Sequence, residues 1–249
     1  MNERQNAILE LIVKNGKMEV ATLSQLLNVS QVTIRKDLDV LVKSGILIRE
    51  HGYAKLNDSQ DLNHRLAYHY DLKKRIARMA CKDIKDKSTI MIESGSCCAL
   101  LAYEIAKTKK HVTMITNSCF IADYIREFSN IDIILLGGFY QKEAQVNVGP
   151  MLKKCVSDFF VDQLFIGMDG FSIENGFTGN DYMRCVAVKD MAQQAKHVCI
   201  ISESHKFNRT STSSLIDVKD AYAIYTDDKL DDDICTYLEE QHVKVKKSS

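Results

Sequence analysis

The sequence predicts a two-unit α/β protein: a small helical unit with a β-wing, then a larger unit built on a parallel sheet. Three observations carry this. Short amphipathic helix patterns and one alternating segment fill residues 1–56. A polar stretch, NDSQDL, follows at 57–62. Beyond it, β-branched runs alternate with helical spacing as far as residue 227, the order that gives a largely parallel sheet with helices on both faces. The expected boundaries are 1–56 for the first unit, 57–70 for a linker and the start of a linking helix, and 71–249 for the second.

In the first unit, Ile8, Leu9, Leu11 and Ile12 give residues 4–15 one apolar face, and Asn15-Gly16 stops that helix. Val20 to Leu27 reads as a second short helix, and Asn28-Val29-Ser30 as a turn. Ser30 is placed to cap a third helix, since its hydroxyl can accept from the free N–H groups of the next turn. That helix starts at Gln31, buries Ile34, Leu38, Leu41 and Val42, and ends at Gly45. ILIREHGYAKL (46–56) then alternates apolar and polar residues around a glycine, as a small wing does.

The other face of the third helix carries chemistry. Ser30, Gln31, Thr33, Arg35 and Lys36 crowd its first turn and a half. A helix-turn-helix offers that end of its second helix to the major groove of double-stranded DNA. Arg49 and His51 on the wing are candidates for the phosphate backbone. Residues 30–56 hold five Lys/Arg against three Asp/Glu, an excess of the sign and in the place that phosphate contacts need. The bland alternative is a three-helix module with a solvated charged face.

The run VSQVTIRKDLDVLVKSGILIREHGYA closely resembles the signature of the DeoR family of bacterial transcription regulators. Val29, Ser30, Thr33, Ile34, Arg35, Lys36, Asp37, Leu38, Leu41, Gly45, Leu47, Arg49, His51, Gly52 and Ala54 match in order. Tyr53 departs, standing where the family usually has a second glycine, so a stiffer or differently shaped wing tip is expected. The resemblance implies a winged helix-turn-helix that binds operator DNA.

In the second unit, residues 64–84 read as mostly helical. Strand 89–92 leads through Glu93-Ser94-Gly95-Ser96 into a helix at 98–107. That arrangement gathers free N–H groups at the positive end of a helix dipole, an anion site. Strand 112–116 precedes a helix at 118–127, and strand 132–136 ends at Gly137-Gly138. FFVDQLFIGM, a helix near 183–196, and strands 198–202 and 222–226 complete the pattern. Ligands of such sheets bind beyond the carboxyl ends of the strands. Those ends offer Glu93, Ser94, Gly95, Ser96 and Cys97, then Asn117, then Gly137 and Gly138, and finally Glu203 and Lys206. Backbone N–H groups and a lysine suit a phosphate; an amide and carboxylates suit hydroxyls. Asp181 and Arg184 lie beside the predicted pocket and either reach the ligand or form an exposed ion pair. Lys189, on the same helix, is equally ambiguous.

From about Arg65 to Asp227 the chain again resembles the DeoR family, here its C-terminal sensor domain, which is similar in fold to sugar-phosphate isomerases. The family's Asp-x-Gly-Thr-Thr loop matches Glu93, Gly95 and Ser96, with Cys97 at the last threonine. Thr116-Asn117, Gly137-Gly138, Lys206-Phe207 and Thr226-Asp227 match further pairs, and Gly176 and Thr178 fit its Gly-x-Thr turn. Glu93 and Glu203 replace two family aspartates, each one methylene longer, which implies a differently sized ligand. The resemblance implies a repressor of a carbohydrate catabolic operon, acting as a homo-oligomer (dimer or tetramer) and controlled by a phosphorylated sugar or sugar-derived metabolite. The alternative is an isomerase-like enzyme with an accessory DNA-binding domain. It needs a matched acid and base, which Glu93, Asp181 and Glu203 do not offer by spacing.

Composition narrows little else. Lys+Arg and Asp+Glu both number 33 in 249 residues, so net charge points to no partner. Charges interrupt the apolar pattern of MNERQNAILELIVKNG, unlike a signal peptide. No window approaches the roughly 18 uncharged apolar residues of a membrane span, so a cytoplasmic protein without membrane association is expected. None of the eight cysteines forms a CxxC pair or zinc-like spacing, so no metal and no cofactor are expected. Cys97 and Cys98 sit in the anion loop, but a redox role there lacks a basic neighbour in sequence to activate a thiolate.

Overall fold

The computed structural model describes residues 3–43, 47–50, 52–56, 65–66 and 68–248. The chain divides into two compact units, Met1–Asp71 and Leu72–Ser249. Gly45, His51 and the whole polar stretch 57–62 lie outside the described residues.

The first unit runs α1 (Glu3–Asn15), β1 (Lys17–Glu19), α2 (Val20–Leu26), α3 (Gln31–Lys43), β2 (Leu47–Glu50) and β3 (Tyr53–Leu56). Gly16, at φ +76°, ends α1 in a conformation that glycine adopts without strain. Ile8, Leu9 and Ile12 of α1 share a core with Leu23 of α2 and Ile34, Leu38 and Leu41 of α3. Val42, expected in that stripe, is only half-buried. Asp37, 4% exposed, takes a place on the buried face instead. Its carboxylate accepts from Arg4 Nε at 2.5 Å and Gln5 Nε2 at 3.2 Å, which ties α1 to α3. A buried charge is tolerable only when it is paired in this way. The wing is a three-stranded antiparallel sheet in the order β1-β3-β2. The sequence pattern missed β1, because three residues are too few to display a period.

The second unit contains α4 (Tyr70–Lys82, whose first two residues belong to the N-terminal unit), β4 (Thr89–Ile92), α5 (Ser96–Thr108), β5 (Val112–Thr116), α6 (Cys119–Tyr124) and β6 (Ile131–Leu135). There follow β7 (Phe139–Gln141), β8 (Val146–Val148), α7 (Pro150–Val156), β9 (Val161–Ile166), β10 (Gly170–Ser172), β11 (Gly176–Gly179), α8 (Tyr182–Ala192) and β12 (Ala195–Ile201). A 3-10 turn (Ser204–Lys206), β13 (Ser213–Ile216), β14 (Ala221–Asp227), α9 (Asp232–Glu240) and β15 (Lys244–Ser248) complete it.

Seven strands form one parallel sheet, β15-β14-β12-β9-β4-β5-β6. The central strands bury consecutive residues, such as Ile90 to Ile92 and Leu164 to Ile166. Successive side chains of a strand point to opposite faces, so both faces of the sheet are covered. From β4 the chain steps outward to β5 and β6, then returns to β9 on the other side of β4. The strand order therefore reverses between β4 and β9, and such a switch point opens a crevice beyond the strand ends. A small antiparallel sheet, β10-β11-β13, stands beside it. Phe171 anchors this sheet, 4.8 Å from Phe177 and 5.4 Å from Phe207 between ring centroids.

Several expected spans shift. α5 begins at Ser96, two residues early; α6 stops at Tyr124; and Ala195 and Lys196, expected to be helical, open β12. The Gly-x-Thr segment, expected as a turn, is strand β11, with Gly176 at φ +64° at its start.

Gly137-Gly138 follows β6 for a packing reason. A Cβ on Gly138 would lie 2.7 Å from the Val148 carbonyl oxygen, whereas one on Gly137 would meet only Cys155 Sγ at 3.8 Å. We expect Gly138→Ala to destabilise the second unit by about 1–3 kcal/mol, the usual cost of forced overpacking. Gly137→Ala should change little. Urea denaturation of the two variants side by side checks this.

Candidate functional site

Two surfaces hold the predicted site residues, one in each unit. In the first, Ser30 caps α3: its Oγ accepts from the Thr33 N–H at 3.2 Å and lies 2.9 Å from Thr33 Oγ1. Gln31, Arg35 and Lys36 project from the exposed face of the next turns. Gln31 and Arg35 line one shallow groove with Arg49, Gly52 and Tyr53 of the wing. The recognition-helix start and the wing thus share one concave surface. Arg49 is not idle there: its Nη1 donates to Asp39 Oδ1 of α3 at 2.7 Å, and both side chains are solvent-exposed. His51 lies outside the described residues. Pattern reading missed Val32, which is 60% exposed on the first turn of α3. An apolar side chain at that place suits a thymine methyl group.

Tyr53 explains its departure from the family pattern. It opens β3 between Glu50 on one side and Glu19 on the other. Its hydroxyl bonds Glu19, which raises the phenol's pKa, and Lys17 Nζ lies 5.1 Å from the ring centroid. Tyr53 thus adds side-chain ties between β3 and β1 that a glycine could not make.

In the second unit, the candidates gather at the carboxyl edge of the sheet, around the switch point. β4 delivers Glu93 and Ser94, both 5% exposed, and Gly95 at φ +118° turns the chain into α5. The first N–H groups of a helix lack intrahelical acceptors, and no side chain caps α5. Ser96 and Cys97 are its first two residues. Thr116 pairs with Ile92 in register, so Asn117 stands next to Glu93 at the sheet edge. Asn117 is fully buried; its Nδ2 donates to the Asn147 carbonyl at 3.1 Å, and its Oδ1 has no hydrogen-bond partner. Gly137 and Gly138 come after the next strand, under the β7–β8 hairpin. Lys206 reaches back to the loop after β9, donating to the Met168 carbonyl at 2.8 Å. Asp227 holds the turn that carries Lys206, accepting from Ser204 N–H at 2.7 Å and Ser204 Oγ at 2.6 Å. Burial works against the Asp227 charge, but these bonds outweigh it and hold its pKa below the ordinary value.

Asp181 and Arg184 come out mixed. Asp181 caps α8 through the Arg184 N–H at 2.8 Å and takes Gln141 Nε2 at 3.3 Å. Arg184 Nε lies 3.8 Å from Asp181 and has no hydrogen-bond partner. Its charge is felt at Glu93: burial raises the Glu93 pKa, and the Ser94 hydrogen bond and Arg184 oppose it. Arg184 Nη2 donates to Asn180 Oδ1 at 2.5 Å, so its fork is held at the start of α8, and Asp181 serves mainly as a cap. Lys189 is exposed and stands away from that edge.

The sequence pattern missed Lys73. It lies on α4, only 2% exposed, with Nζ 3.5 Å from Glu203 Oε2. Burial lowers its pKa, and the like charge of Lys206 adds to the effect. Only the fold brings this lysine to the strand ends, some twenty residues from the loop it faces. Two basic neighbours thus act on Cys97 after all, yet burial prevails and its pKa rises to about 11. Burial takes Cys98 well above its ordinary value too. Buried, protonated thiols of this kind are inert.

Residues 4–60 match the DeoR-like helix-turn-helix domain, and residues 68–228 match the DeoR C terminal sensor domain. This chain belongs to the DeoR family of transcriptional regulators. It is a DNA-binding regulator and not an enzyme. Among its DeoR-type relatives, the L-fucose operon activator of Haemophilus influenzae is 27% identical over 98% of each chain. The glycerol-3-phosphate regulon repressor of Escherichia coli (strain K12) is 25% identical, over 98% of this chain and 97% of that one. Among solved structures, ribose 5-phosphate isomerase from Plasmodium falciparum is similar at a TM-score of 0.42 and 19% identity, covering 56% of this chain and 53% of that one. A likeness at that level says nothing about activity. Among the described residues no helix is long and apolar enough to cross a membrane.

The thiols give a direct check on the loop. With native protein at pH 8, iodoacetamide should modify the half-buried Cys155 and Cys119 and spare Cys97 and Cys98. Peptide mass spectrometry before and after denaturation reads this out. Early loss of the Cys97–Cys98 peptide would show an open loop and reactive thiols.

Proposed function

We propose that this regulator represses a carbohydrate catabolic operon in the cytoplasm, and that a phosphorylated sugar or sugar-derived metabolite controls its grip on the operator. The observation that carries the effector reading is the uncapped start of α5 at the sheet's switch point, with the charge of Lys206 acting on Cys97 in its first turn. Free N–H groups, a helix dipole and a lysine together suit a phosphate. The unpartnered Oδ1 of Asn117 suits a sugar hydroxyl. The relative named a glycerol-3-phosphate regulon repressor supports the sign and the phosphate together. The relative named an operon activator is the reason that the sign needs its own test.

On the DNA side, Ser30, Gln31, Thr33, Arg35 and Lys36 at the start of α3 enter the major groove, and Arg49 and His51 reach the backbone. A homo-oligomer presents two such helices to repeated half-sites. The effector favours one placement of the DNA-binding units over another. A coupling of about 1–3 kcal/mol would change operator affinity roughly 5–150-fold.

The deciding experiment titrates a fluorescent duplex from upstream of the protein's own gene cluster at fixed salt, with and without a panel of sugar phosphates. One compound should weaken specific binding. Tighter binding in its presence would instead make the protein an activator or a co-repressed regulator. Arg35→Ala should abolish specific operator binding and leave effector binding intact; loss of both would mean that Arg35 supports the fold. Lys206→Ala should keep operator affinity and lose the response to the compound. A normal response in that variant would move the phosphate elsewhere.

A further inference from the structure

We infer that Val32 reads the methyl group of a thymine in each operator half-site, and so helps decide which operator this chain selects. The inference rests on the reading of the α3 start as the part that enters the major groove, and it names a base that the groove must present there. On α3 the buried residues are Ile34, Asp37, Leu38 and Leu41. Gln31, Val32, Arg35, Lys36, Asp39 and Val40 are exposed. At 3.6 residues per turn, about 100° for each residue, the exposed set covers one arc, and Val32 lies near its middle. Gln31 and Arg35 lie on the flank towards the wing, where they line the groove with Arg49 and Tyr53. Lys36 and Val40 lie on the other flank.

The side chains around Val32 are either committed or built for other bases. The Ser30 and Thr33 hydroxyls lie 2.9 Å apart, and the Ser30 oxygen accepts from the Thr33 N–H at 3.2 Å, so both serve the helix cap. Asp39 is held by Arg49 at 2.7 Å. An amide such as Gln31 suits adenine, and Arg35 and Lys36 suit guanine or phosphate. Val32 is 60% exposed. One exposed valine is ordinary on a protein surface; its place at the centre of this face, in the first turn, is what points to a ligand. Thymine offers an apolar group in the major groove, its C5 methyl. A β-branched side chain keeps one preferred rotamer in a helix, so Val32 loses little freedom on meeting that methyl. Gln31 and Val32 are also the two residues between Ser30 and Thr33 that fall outside the matched family signature. A base preference carried there belongs to this chain and not to the shared motif.

A methyl reader and an idle surface valine differ in one measurement. The full-length protein selects duplexes from a randomised library at fixed salt. The enriched duplex is then remade with uracil for each thymine of one half-site in turn, a swap that removes only the methyl group. One such swap should weaken the parent about fourfold, the factor for burying one methyl-sized group. Val32→Ala should bind the all-thymine duplex more weakly by at least that factor and should be indifferent to the same swap. It should melt like the parent, since alanine favours a helix. A parent indifferent to every swap, or losses from the swap and from Val32→Ala that simply multiply, would overturn the inference. Arg35→Ala, measured on the same duplex, separates the two readings. If it loses specific binding while Val32→Ala does not, the recognition-helix reading stands without Val32. If both variants bind like the parent, that reading fails and takes this inference with it.

Discussion

Lys73 and Glu203 face each other across 3.5 Å in a nearly water-free place, and His205 Nδ1 lies 3.6 Å from the other Glu203 oxygen. Breaking a buried ion pair by removing one member typically costs about 3–5 kcal/mol, because a charge out of reach of water loses a partner. Much of the strand-end site is arranged around this constraint. Glu203 follows β12 and begins the turn that aims Lys206 at the Met168 carbonyl, in the loop after β9. Asp227, from the neighbouring strand, pins that turn through both its backbone and its Ser204 side chain. The uncapped start of α5 stands opposite, positive at its end by virtue of the backbone alone. Carboxylates and cations are thus set close together where the sheet leaves a crevice.

The same logic operates in the DNA-binding unit, with weaker forces at the surface. Asp37 is buried and held by Arg4 and Gln5, so it belongs to the scaffold that orients the recognition helix. Asp39, two residues on, is exposed and pairs with Arg49 of the wing. Exposed pairs contribute about 0–1 kcal/mol. Little therefore holds Arg49 in place, whereas Arg4 is tied to the buried Asp37. Two aspartates on one helix take different tasks according to which face they occupy.

The departures from the family pattern have local physical accounts. Tyr53 stands where the family usually has a glycine and ties β3 to β1 through Glu19. Cys97 replaces a hydroxyl-bearing residue, yet it keeps its backbone N–H at the start of α5 and stays protonated through burial. Glu203 spends its extra length on Lys73.

The sequence by itself determined most of the elements and their order. Helical spacing in α1 and α3, β-branched runs in β4, β5 and β9, and the Ser30 cap are local features, and local features can be read in one dimension. Gly95 was legible as the turn into α5 because a small-residue break separates a β-branched run from helical spacing. What escaped was either too short to show a period, such as β1 and β7, or dependent on distant partners. Nothing in the pattern of α4 marks Lys73 as different from Lys74. Only the packing of α4 against the sheet edge buries one of them and brings it to Glu203, 130 positions later. The tertiary structure likewise moved Asp37 inward, gave Asp181 to a helix cap, and made Gly138 a point of backbone contact with β8. In each case the deciding quantity is which groups lose water together, and that is a property of the folded arrangement.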